Sequence, residues 1–169
     1  MNKINFEDVF NLMQESFPET EYRTYENQKK LLQDQRYEII EFRDDAKNLI
    51  AFIAVWNFET FCFIEHLAVS SKCRGMGIGS KIMKDFIAKS NSKIILEIEI
   101  PSDEISKKRF KFYEKLGFKM NHSEYTQPPL REGAAAVKLN ILSYPEKLSI
   151  KEFENIQNKL YSDVYKQII

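Results

Sequence analysis

The chain has 169 residues, 43% of them apolar and 30% charged, with 13 Phe and 8 Tyr. That is one ordinary globular domain with enough aromatic volume for a sizeable core, and it excludes a disordered chain. Lys plus Arg balance Asp plus Glu at 25 each, which gives no basic excess for a nucleic-acid partner, and no apolar run is long enough to span a membrane.

Residues 5–16 carry Phe6, Val9, Phe10 and Met13 at helical spacing, with Asn5 in the capping position and Pro18 as the stop. Acidic Glu7 and Asp8 in this opening stretch argue against a signal peptide. A second helix is expected over residues 25–35. Residues 37–43 (YEIIEFR), 49–58 (LIAFIAVWNF) and 61–69 (FCFIEHLAV) read as three strands of an antiparallel meander, turning at residues 44–48 and 59–60. By the two-residue period of a strand, Glu65 shares a face with Leu67 and Val69, while His66 points the other way in a structural role.

After residue 69 the pattern changes. Residues 70–79 form a loop holding three of the five glycines. A helix follows over residues 80–90, then a strand over 93–100 (KIILEIEI) and a helix over 105–116 that Gly117 stops. Strands are expected from Phe118 and over residues 136–142, with a loop at residues 127–133 between them. This is an α/β chain with a mixed, mostly antiparallel sheet flanked by helices. Beyond Pro145, Ser149 and Glu152 form a capping-box pair, and Phe153, Ile156, Leu160 and Val164 make one apolar stripe. That predicts a C-terminal amphipathic helix over 145–169. It either packs on the domain or serves a homodimer contact. Cys62 and Cys73 are too few for a disulfide framework and fit a reducing, cytoplasmic compartment. Two histidines without suitable spacing give no metal site.

The chemistry is concentrated in Arg74-Gly75-Met76-Gly77-Ile78-Gly79-Ser80, where a strand feeds a loop and the loop feeds a helix. Glycines let a ligand's oxygens approach the backbone, the helix start offers free N–H groups, and Arg74 adds a fixed cation. Those parts make a pyrophosphate site. The Walker loop fails because no Gly-Lys-Ser/Thr triplet exists. The dinucleotide fingerprint G-x-G-x-x-G fails because Ser80 occupies its last position, although Glu97 lies where a ribose-binding acid would sit.

Arg74-x-x-Gly77-x-Gly79, preceded by Leu67-Ala68-Val69 and followed by Phe112-Tyr113-Glu114-Lys115-Leu116-Gly117-Phe118, resembles the GNAT superfamily of N-acetyltransferases. The likeness runs from about Phe6 to Leu142. It implies acetyl-CoA as donor, with its pyrophosphate on the loop and its pantetheine arm along the backbone of Leu67, Ala68 and Val69. Ser106 stands where the family often has Asn at the cofactor, and Arg109 where it often has Ala. The implied activity is acetyl transfer to a primary amine by direct attack in a ternary complex. The rival readings are a catalytically silent acyl-CoA-binding or sensing module and a dinucleotide-binding protein. Tyr113 is the expected acid for the leaving thiolate. Glu65 is the leading base, with Glu97 and Glu99 as alternatives. Tyr125 and Arg131 are expected to hold an amine acceptor, Tyr125 by its ring and Arg131 by an anionic group.

Overall fold

The computed structural model describes residues 4–166; the chain ends at Met1 and Ile169, and so the outer limits of the expected domain, lie outside the described residues. The sequence folds in the order α1 (Phe6–Ser16), α2 (Tyr25–Lys30), β1 (Tyr37–Arg43), β2 (Leu49–Asn57), β3 (Phe61–Val69), α3 (Ile78–Lys89), β4 (Lys93–Glu99), α4 (Glu104–Lys115), β5 (Lys119–Gln127), β6 (Val137–Tyr144) and α5 (Ile150–Lys159). A π-helical turn, Leu160–Tyr165, continues α5. The strands form one sheet in the order β1-β2-β3-β4-β6-β5, antiparallel except for the β3/β4 pair.

The two faces of the sheet bury two cores. On one, Phe52, Trp56 and Phe63 pack with Val9 and Met13 of α1 and with Phe153 and Ile156 of α5. On the other, Ile53, Val55, Ile64 and Leu96 pack with Ile82 and Met83 of α3 and Tyr113 of α4. The apolar spacing that predicts α1 is thus its buried face, although Asn5 makes no side-chain cap. The expected second helix is regular only to Lys30 and tightens into a 3-10 turn over Leu31–Gln33. The Ser149–Glu152 capping box forms on both sides. Phe153, Ile156, Leu160 and Val164 are all buried within the chain's own core. The stripe read as a homodimer contact is therefore spent in cis, and packing on the domain is the outcome.

Two departures from regular pairing shape the site. β3 and β4 pair only between residues 61–64 and 93–96. Past that point β4 continues along β6, and β3 continues along β2, so the two strands open into a fork. The β2/β3 register also slips between Ala54↔His66 and Val55↔Ile64, which leaves Glu65 as an extra residue. A bulge of this kind bends the strand and resets which side chains share a face. Glu65 accordingly lies with Phe63 and His66 on the α1/α5 side, while Leu67 and Val69 lie with Ile64 on the α3/α4 side. The expectation that Glu65 shares a face with Leu67 and Val69, opposite His66, fails because strict alternation cannot foresee a bulge.

Candidate active site

The fork opens into a cavity of about 790 Å³, within the usual range for small-molecule sites. One end is the glycine loop. Gly75 and Gly77 have φ of +77° and +75°, and a Cβ at either would meet nothing within 4 Å. Both positions demand the left-handed backbone that glycine adopts freely, and the space above them is open for a ligand. Gly77 is the N-cap of α3, whose first internal bond runs from the Lys81 N–H to the Gly77 carbonyl, 3.0 Å. The N–H groups of Ile78, Gly79 and Ser80 therefore have no helical acceptor and remain for an anion. Arg74 Nε donates to the Val69 carbonyl at 3.1 Å, which pins the guanidinium at the end of β3. Gly79 sits between Val69 and Phe112, where a Cβ would touch both at 3.5 and 3.7 Å.

Leu67, Ala68, Val69, Arg74, Gly75, Gly77, Ile78, Gly79 and Ser80 all line this cavity. Two expected cofactor residues do not. Met76 is 71% exposed at the loop tip. Ser106 is buried, and its hydroxyl is consumed in the α4 capping box, accepting from the N–H groups of Ser102 and Asp103. A hydroxyl so engaged serves the helix start instead of a ligand.

Tyr113 reaches the cavity from the last turn of α4. The sequence F-Y-E-K-L-G-F explains how it is held. Gly117 at φ +98° ends the helix, the Phe118 N–H returns to the Tyr113 carbonyl at 3.1 Å, and the Gly117 N–H to that of Glu114 at 3.0 Å. This is a Schellman motif, and its hydrophobic clasp is the Tyr113–Phe118 ring contact, 5.7 Å at 75°. The Tyr113 hydroxyl has no protein partner among the described residues. Burial pushes its pKa up to about 12, Arg109 offsets part of that, and Glu99 adds to it. At neutral pH it is a protonated donor.

Three glutamates meet at the fork and differ sharply. Glu65 is spent: Oε1 takes Arg23 Nη1 at 2.5 Å and Oε2 takes Trp56 Nε1 at 2.9 Å. Its side chain is 4% exposed and that of Arg23 is 0%. Burial alone would push its carboxyl up, but Arg23, His66 and the Trp56 bond outweigh it and hold it below the usual range. A carboxylate with both oxygens occupied and its charge compensated is a poor proton acceptor. This geometry argues against the expected role of Glu65 as the base. Glu99 is paired with Arg109 across the gap to α4, so the Arg at the position where Ala was anticipated has a local partner.

Glu97 keeps a free oxygen. Its Oε1 accepts from the hydroxyls of Tyr125 and Tyr165, the latter at 2.5 Å. Its Oε2 has no protein partner among the described residues, and the residue lines the cavity. Burial pushes its pKa up to about 7; the two tyrosines pull down, Glu65 pushes up, and Arg23 pulls down.

Tyr125 and Arg131 do not line the cavity. Tyr125 is a buried strand residue whose ring stacks on Tyr161 at 5.7 Å. Arg131 caps the Tyr22 ring at 4.7 Å and donates to the Tyr22 and Arg23 carbonyls and to Glu19. Neither side chain faces the cavity as the expected acceptor contact would, because the loop folds back on residues 19–23 and its arginine is occupied there. Ser16, Phe17, Glu21, Gln127 and Leu130 form the other end of the cavity. His66 donates from Nε2 to the Glu21 carbonyl at 2.7 Å, with burial holding its pKa down and Nδ1 unpartnered. Sequence reasoning missed Arg23 and Tyr165; one sits in a polar stretch without periodicity, the other follows the stripe residue Val164 directly. Among the described residues no group of His, Cys, Asp and Glu could hold a metal ion, and no helix is long and apolar enough to cross a membrane.

Residues 6–118 match the acetyltransferase (GNAT) family. The chain belongs to that family. It is 34% identical over 110 residues to YjbC of Bacillus subtilis (strain 168), assigned as an acetyltransferase; the match covers 63% of this chain and spans 54% of that relative's length. A structure from Bacteroides thetaiotaomicron assigned to the same family superposes with a TM-score of 0.87 at 29% identity, covering 95% of this chain and 91% of that one. The fold is shared with the ribosomal-protein-S18-alanine N-acetyltransferase of Escherichia coli (TM-score 0.60, 15% identity, 88% and 92% covered). It is also shared with a spermidine N-acetyltransferase chimera from Vibrio cholerae (TM-score 0.64, 16%, 85% and 92%). Enzymes of this family use acetyl-CoA as acyl donor, and the open glycine cradle with its free N–H groups fits that group.

Proposed function

We propose that this family member transfers an acetyl group from acetyl-CoA to a primary amine by direct attack, with both substrates in the fork at once. The observation that carries the reading is the pair of unpartnered groups on one cavity: the Tyr113 hydroxyl on the α4 side and Glu97 Oε2 on β4. Acetyl-CoA supplies an activated thioester. The loop of Arg74, Gly75 and Gly77 and the start of α3 hold its pyrophosphate, and the β3 edge freed from β4 at residues 65–69 is available to its pantetheine amides.

A primary aliphatic amine has a pKa near 10.4 and arrives protonated. Glu97 takes that proton, directly or through water, because a carboxyl titrating near neutrality is matched to the task. Tyr113 donates to the leaving sulfur. The acceptor enters from the α1 side, past Phe17, Glu21 and Leu130. Among the described residues Glu21 and Glu97 are the acids of the cleft without a bonded cation, which supports a cationic amine as acceptor. The S18-alanine and spermidine enzymes that share the fold both act on amines, which is compatible with this class and selects no member of it.

Glu97→Gln tests the base. Its turnover should fall mostly near neutral pH and recover as the pH approaches the amine's own pKa, where free amine needs no help. A loss of equal size at every pH would assign Glu97 to positioning instead.

A further inference from the structure

The C-terminal segment lies outside the residues that match the family, yet it reaches the fork. α5 docks by its apolar stripe, and the π-helical turn that continues it buries Leu160, Val164 and Tyr165. A π turn is wider than an α turn and is a recurrent device at functional sites. Here it delivers two adjacent residues to two different partners. The Val164 carbonyl accepts from Arg23 Nη2 at 3.1 Å, on the guanidinium that holds Glu65. The Tyr165 hydroxyl donates to Glu97 Oε1 at 2.5 Å. Tyr161, one turn earlier, donates to the Thr126 carbonyl at 2.6 Å and stacks on Tyr125, the other donor to Glu97 Oε1.

We propose that Tyr165 is a positioning residue for acetyl transfer: with Tyr125 it binds one oxygen of Glu97 and leaves the other turned to the incoming amine, so that the C-terminal turn supports the active site from behind Glu97. The proposal rests on the reading of Glu97 as the base. Two hydroxyl donors on one oxygen do two things. They fix the rotamer, and they favour the ionised form of a carboxylate that burial would otherwise keep protonated. Removing one donor should therefore raise the pH at which Glu97 becomes a competent base. The other titratable or charged groups set around it are Glu65 and His66 on β3, Arg23 ahead of α2, Glu99 further along β4, Tyr125 on β5 and Tyr161 in the turn, and none is altered by Tyr165→Phe.

The test compares wild type, Tyr165→Phe and Glu97→Gln by two readouts. One is the pH profile of turnover at saturating acetyl-CoA and amine. The other is a carbon-13 titration of the glutamate side-chain carboxyls, in which the resonance missing from Glu97→Gln identifies Glu97. The expected result is that Tyr165→Phe moves the Glu97 titration and the acid limb of turnover upward together. Turnover below the limb would then fall about tenfold for each pH unit moved and rejoin wild type at high pH, with the Michaelis constant for acetyl-CoA unchanged. A tyrosine that only packs would lower the melting temperature and leave both titrations in place. That outcome, with Glu97→Gln abolishing the acid limb, overturns the role of Tyr165 and leaves the base standing. If Glu97→Gln keeps both rate and limb, the base reading fails and the proposal falls with it.

Discussion

Glu65 and Glu97 face the same cavity from neighbouring strands, and their surroundings push them in opposite directions. Glu65 is held below its ordinary pKa, so the stability it lends is present above the unfolded carboxylate value and is lost as the pH falls through its folded value. Glu97 has the opposite sign. Its folded pKa of about 7 stands above a reference of 4.5, so its favourable contribution is complete below about 4.5 and is lost as the pH rises through about 7. The difference is on the order of 3 kcal/mol. Replacing Glu97 by Gln should then stabilise the fold relative to wild type at pH 8 and lose that advantage near pH 4, as read by urea denaturation at both pH values. Glu65→Gln should do the reverse. It leaves the fully buried Arg23 uncompensated and should cost about 3–5 kcal/mol at neutral pH. Equal pH dependence of the two variants would contradict the division of labour between them.

At the scale of elements, the motif around Tyr113 is a helix stop signal as well as the seat of the proposed acid. Gly117 must adopt φ +98°, and a Cβ there would come within 3.0 Å of the Tyr144 ring. Gly117→Ala therefore meets both backbone strain and crowding, at a cost of roughly 1–3 kcal/mol. Because the Schellman clasp seats Tyr113, the same variant should lower turnover well beyond its effect on acetyl-CoA binding; a variant with a lower melting temperature and intact turnover would show that the clasp serves stability alone. The strand and helix order was legible in the sequence, since α1, β1, β3 and the glycine loop each carry a strong period or a positional signal. The bulge at Glu65 was not, because an inserted residue leaves no mark in an alternating pattern whose next members, Glu and His, are both polar. Arg131 was misread for a related reason. A loop residue's partners depend on where the loop folds back, and the contact with residues 19–23 is more than a hundred positions away in sequence.

At the scale of the molecule, the sheet divides two cores, and the fork between β3 and β4 joins the glycine loop on one side to the proposed acceptor entrance on the other. The C-terminal helix packs into the same core as α1, and its last turn was beyond sequence reasoning because α-helical spacing places Val164 inward but gives Tyr165 no special position. Leu160 is fully buried, so Leu160→Ala should cost about 2–5 kcal/mol. Its melting temperature should stay independent of protein concentration, as befits a stripe packed in cis; a concentration-dependent loss would return the helix to an interface between copies.

The cleft is proposed to carry out transfer and not merely to bind an acyl-CoA. Thiol release from acetyl-CoA, measured across a panel of primary amines for wild type and Tyr113→Phe, tests it most directly. Release should depend on the amine, and turnover should fall about 10²–10⁴-fold in Tyr113→Phe with acetyl-CoA affinity nearly intact. Acetyl-CoA that binds and raises the melting temperature, while no amine in the panel elicits thiol above the background of the variant, would contradict it and leave a silent acyl-CoA-binding module.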